Sequence, residues 1–232
     1  MKKVIIALLL LAVNVNVFAQ EADETTSKSS FDLGMDVYSR YIWRGIQLGN
    51  GSASAQPWVE FSSGDFAIGG WGAYNLGGDT AGNEADLYVS YSPLEALSFT
   101  VTDYYFPGEG GVSVRGYGYY DDEHVMEGMV SFSGVEKFPI GIMDATNFAF
   151  AATGETYVQL SYETKSGLGF VAGGVFGDDD GYYGTDGEGI INLGISKTKE
   201  IKITDSFSLP VTGSVIYNPD AEAIHLIFGF SL

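Results

Sequence analysis

From Phe31 to Arg44 the chain alternates with a period of two. Phe31, Leu33, Met35, Val37, Tyr41 and Trp43 fall on one side with Ser39; Asp32, Asp36, Arg40 and Arg44 fall on the other with Gly34, Tyr38 and Ile42. Successive side chains of an extended strand point to opposite faces, so the pattern predicts a β-strand with one apolar, aromatic face and one ionic face. A helix would set Asp36 and Arg40 among the apolar residues and leave no clean face. The alternation returns down the chain. Ala85, Leu87, Val89 and Tyr91 oppose Glu84, Asp86, Tyr88 and Ser90; Val158, Leu160 and Tyr162 oppose Gln159, Ser161 and Glu163; Ile224, Leu226, Phe228, Phe230 and Leu232 oppose His225, Gly229 and Ser231. No long stretch carries the spacing of an amphipathic helix.

Read in order, the alternating stretches predict twelve strands, an even number. Short turns follow the second, fourth, sixth and eighth, and several other connections are long. Lys137, Lys165, Lys197, Lys199 and Lys202 sort to the short-turn end, whereas Asp121, Asp122, Glu123, Asp178, Asp179, Asp180 and Glu188 sort to the long-loop end. A soluble sandwich turns its apolar faces inward and has no reason to separate charge by end. An outer-membrane barrel turns them to lipid, keeps the ionic face inside, and alternates short periplasmic turns with longer outer loops. The fold expected is therefore all-β: a single closed antiparallel transmembrane β-barrel of about 12 strands over residues 31–232.

Composition narrows this. The chain has 32 glycines, 14% aromatic residues and no cysteine, which suits a many-stranded protein held by its own hydrogen bonds and packing. Met1-Lys2-Lys3, the apolar run Val4 to Val13 and the small residues before Ala19 predict a signal peptide over residues 1–19. Residues 20–30 are polar and acidic, the pattern of a disordered periplasmic lead-in. The formal charge of −19 argues against nucleic acid as a partner. Expected partners are membrane lipid and lipopolysaccharide, the barrel-assembly machinery that reads an amphipathic final strand, and a small-molecule solute. That final strand ends on Leu232 where such strands usually end on an aromatic residue.

The inward face is expected to carry Asp32, Asp36, Arg40, Arg44, Glu60, Glu84, Asp86, Glu127 and Glu163. Two readings follow from that set: a pore lining whose excess carboxylate favours cations or polyhydroxylated solutes, or a plugged interior of structural ion pairs. Tyr41, Trp43, Trp71, Tyr91, Tyr162, Phe228 and Phe230 are expected in an interfacial aromatic girdle. No cofactor is expected. Asp178, Asp179 and Asp180 offer oxygen ligands for a divalent cation but lack EF-hand spacing, since Tyr183 stands where the glycine belongs. His225 beside Ser231 would be the only hint of a barrel-wall, lipid-acting hydrolase, and no third orienting group accompanies the pair.

Val37-Tyr38-Ser39-Arg40-Tyr41-Ile42-Trp43-Arg44-Gly45, Gln56-Pro57, Gly69-Gly70-Trp71-Gly72 and Glu84-Ala85-Asp86-Leu87-Tyr88 resemble the TorF-type porin family of bacterial outer-membrane barrels. The resemblance covers about the first third of the mature chain. It implies a non-enzymatic channel in the outer membrane of a Gram-negative cell, and carries no solute with it. Transport of small hydrophilic solutes is the expectation, with a closed structural or surface-interaction barrel as the alternative.

Overall fold

A computed structural model describes residues 29–78, 80–107, 124–150, 152–177, 181–185 and 187–232. Residues 1–19, expected to be a signal peptide, and the aspartates Asp178, Asp179 and Asp180 lie outside them. The described residues contain no helix long and apolar enough to cross a membrane.

Fourteen strands follow one another among the described residues. They are β1 (Ser29–Tyr38), β2 (Tyr41–Trp43), β3 (Ile46–Leu48), β4 (Ser54–Ser63), β5 (Phe66–Asn75), β6 (Glu84–Leu94) and β7 (Leu97–Tyr105). Then come β8 (His124–Phe132), β9 (Ile140–Phe150), β10 (Ala152–Glu163), β11 (Leu168–Phe176), β12 (Gly189–Lys202), β13 (Ser208–Asn218) and β14 (Ala223–Ser231). Twelve of them, β1 and β4 to β14, form one closed antiparallel barrel in which each pairs with its sequence neighbour. Closure comes from β1, which pairs with β4 along its whole length and with β14 through Asp36, Val37 and Tyr38. A closed sheet leaves no edge to aggregate.

Side chains divide as the alternation requires. Leu33, Leu87, Leu160 and Phe228 are 69%, 65%, 50% and 66% exposed, so these large apolar groups form the outer surface instead of a core. Cross-strand register puts Asp32 opposite Glu60, Tyr88 opposite Thr102, and Thr102 opposite Glu127, so polar groups continue around the inner wall.

The first predicted strand differs from the structure. It ends at Tyr38, not Arg44, and begins at Ser29, inside the segment expected to be disordered. Ser39 and Arg40 turn the chain off the wall. Tyr41–Trp43 and Ile46–Leu48 then pair as a separate two-stranded hairpin. Period two persists through both stretches, so the pattern alone does not reveal the break. The β9–β10 connection is tight, with strand running to Phe150 and resuming at Ala152.

Candidate luminal site

The β2–β3 hairpin lies inside the barrel. Arg44 and Gly45 form its two-residue turn, both with positive φ (49° and 88°), as in the type I′ turns whose twist matches a tight hairpin. Gly45 is held closely against the wall on two sides. A Cβ there would run into the Ile191 carbonyl of β12, and its own carbonyl accepts a 3.3 Å hydrogen bond from Asn218 Nδ2 on β13.

The hairpin's side chains meet the barrel wall on several strands. Tyr41 donates from its hydroxyl to Glu84 Oε2 on β6 at 2.8 Å, and its ring meets Trp71 at 5.6 Å. Trp43 stacks on Tyr183 with centroids 5.4 Å apart and meets the edges of Tyr104 and Tyr182 at 6.0 Å. Arg44 forms a two-pronged pair with Glu127 on β8, at 2.5 Å and 2.8 Å, and donates to the Tyr183 hydroxyl at 2.7 Å. The Tyr104 hydroxyl donates to the same carboxylate at 2.9 Å. The guanidinium carbon lies 4.6 Å from the Trp43 ring centre and 4.8 Å from that of Tyr157, so the planar cation sits against two aromatic faces. Asn192 orients Tyr157 by donating to its hydroxyl at 2.9 Å.

Most of this network is shut off from solvent: Glu127 is 1% exposed and Tyr157 is 0%. Burial acts to lower the Arg44 pKa, but the hydrogen bonds and charge of Glu127 outweigh it and hold the guanidinium above its ordinary value. Burial pushes the phenols of Tyr182 and Tyr183 up, so both stay neutral.

The nine acidic and basic residues expected on the inner face fall in different settings. Glu84, Asp86 and Glu127 are buried around the hairpin. Asp36 and Glu60 are half-buried on the wall, with Glu60 accepting a 2.8 Å bond from Tyr88. Asp32 and Glu163 are exposed at the short-turn end. Arg40 and Arg44 belong to the hairpin, not to the wall. Among the described residues the lysines occupy short-turn connections or β12, where Lys202 binds Asp205 at 2.7 Å, and on the wall strands Asp103 meets His124 at 2.7 Å. Asp86 Oδ1 and both amide atoms of Asn147 are buried inside without a protein partner.

Tyr91, Tyr162, Phe228 and Phe230 lie on the outer face. Tyr41, Trp43 and Trp71 do not: the first two ride on the hairpin, and Trp71 is on the inner wall, opposite Asp86 and Trp58. The turn at Ser39 and Arg40 explains the first two, because alternation beyond a turn no longer reports which side of the wall is which. His225 and Ser231 share the inner face of β14 but are six residues apart, roughly 20 Å along a strand, too far to form a dyad.

Tyr104, Tyr157, Tyr183 and Asn192 were not singled out from the sequence. Tyr157 carried a signal, standing on the polar side of its strand beside Gln159; Tyr183, in an acidic loop, carried none.

The short-turn end is different in kind. A cavity of about 540 Å³ opens there, lined among others by Ser133, Glu136, Gly141, Ser161, Glu163 and Ser196. Hydroxyls on neighbouring strands bond to each other, as in Ser98 with Ser131 and Thr198 with Thr212, both at 2.8 Å. Compared with protein-family models the chain matches none, and no curated protein is significantly similar to it.

Proposed function

We propose that this chain is an outer-membrane diffusion channel for small hydrophilic solutes, cation-preferring, with the β2–β3 hairpin as its constriction. The observation that carries the reading is the two-sided wall: an exposed apolar exterior suited to lipid, and an interior whose carboxylates, among the described residues, outnumber the two hairpin arginines. Such a wall repels anions and concentrates cations. Buried polar atoms left without a protein partner, at Asp86 and Asn147, suit an interior that carries water. The reading includes export by a signal peptide and lipid and lipopolysaccharide as surroundings, as the TorF-type resemblance implies. The alternating β14 is a fit substrate for assembly machinery. Nothing in the mechanism requires a covalent step.

A closed structural barrel is the second reading, and the near-zero exposure of Glu127 and Tyr157 favours it. Planar-bilayer recording separates the two. The channel reading expects small cation-selective steps from the intact protein, and steps several-fold larger when residues 40–51 are replaced by a short glycine–serine linker. Silence from both proteins, each verified as folded, would establish the closed barrel instead.

A further inference from the structure

The contacts of Arg44 amount to a complete recognition site for a guanidinium group. Glu127 presents both carboxylate oxygens to the two terminal nitrogens, the fork-on-fork geometry that distinguishes guanidinium from ammonium. Tyr157 covers one aromatic face at 4.8 Å, and the Tyr183 hydroxyl accepts a further bond at 2.7 Å. Tyr104 and Asn192 fix Glu127 and Tyr157 in place at 2.9 Å each. Of these groups only Arg44 and the flanking Trp43 come from the hairpin; the receptor side belongs to β7, β8, β10, β12 and the loop bearing Tyr183. The hairpin also meets the wall through Tyr41 with Glu84, Gly45 with Asn218, and Trp43 and Ile46 packed against the cluster of Tyr157, Val175 and Ile191, but Arg44 is the side chain that enters the Glu127 pocket. Its tip therefore resembles a tethered ligand seated in a pocket of the wall.

We propose that the Glu127–Tyr157–Tyr183 pocket is a binding site for alkylguanidinium solutes, which Arg44 occupies in cis, so that solute and hairpin compete for it. The proposal rests on the channel reading in naming a solute class for that lumen. The carboxylate-lined wall supplies the approach, since it draws cations toward Glu127. Displacement of Arg44 by such a solute would free the hairpin tip and widen the constriction.

The test uses the full mature chain, folded in detergent, with Arg44→Ala. Truncation removes the atoms of ethylguanidinium beyond Cβ, so ethylguanidinium chloride is the probe and ethylammonium chloride, at equal ionic strength, its control. Calorimetric titration is expected to show Arg44→Ala binding ethylguanidinium at least about tenfold more tightly than ethylammonium. Adding Glu127→Gln is expected to abolish the difference, and the unaltered chain, its pocket filled, to bind more weakly than Arg44→Ala. Equal affinity for the two cations, indifference to Glu127→Gln, or equal binding by the unaltered chain would each overturn the proposal. Should Arg44→Ala not fold alone, the yield of barrel refolded in each cation reads the same preference, and equal yields sink it. Because binding is read without conductance, a silent bilayer would leave this result standing, and a failed titration would leave the channel reading standing.

Discussion

The two ends of the lumen use polar residues in opposite ways. At the long-loop end, Arg44, Glu127, Tyr104, Tyr157 and Tyr183 form a closed network with the hairpin at its centre, and hardly any of it reaches solvent. At the short-turn end, hydroxyls pair across neighbouring strands and line a cavity that stays open. Charge makes the difference. A buried arginine must be fully partnered, which draws carboxylate, phenols and rings around it and excludes water. A serine can satisfy itself with its neighbour or with water, so a wall of serines needs no filling.

Substitutions that break one end while sparing the other test this contrast. The largest effect is expected from Glu127→Ala, which strands the Arg44 guanidinium in a buried place. Unfolding by urea should show a loss of about 3–5 kcal/mol. The matching change at the other end, Glu163→Ala, should stay within about 0.5 kcal/mol because that carboxylate is exposed. Next comes Gly45→Ala, where the positive φ and the encroachment on Ile191 together should cost about 2–3 kcal/mol. If the hairpin is the constriction, the same variant gives larger conductance steps; unchanged steps would separate the hairpin's structural role from gating. Tyr41→Phe removes one bond to a buried carboxylate and should cost about 1.5 kcal/mol. Ser98→Ala, which leaves Ser131 half-exposed to water, should cost less than about 1 kcal/mol and leave conductance untouched. Finally, cation preference measured across a salt gradient should fade as ionic strength approaches 1 M, where the Debye length is only about 3 Å. Selectivity that persists there would point to the narrow Arg44 region instead of the open wall.

The barrel was legible because one pattern repeats on every wall strand. Leu87 and Val89 against Asp86 and Tyr88, or Leu160 and Tyr162 against Ser161 and Glu163, each announce a strand between two unlike media. The luminal hairpin was not legible for the same reason that the strands were. Tyr41 and Trp43 continue the parity of Phe31 to Val37, and parity carries no information about whether a strand lies in the wall or crosses the space inside it. The one local sign was Arg44-Gly45, a pair suited to a turn with two positive φ values.

Alternation, an even strand count and terminal charge sorting thus determined a closed cylinder with an apolar exterior, since period two and the cost of mismatched faces are properties of the chain itself. The tertiary structure alone decided that Arg44 meets Glu127, 83 residues away, between Tyr157 and Trp43. Partners that distant are chosen by how the hairpin folds across the lumen, and no local preference of either residue encodes that path.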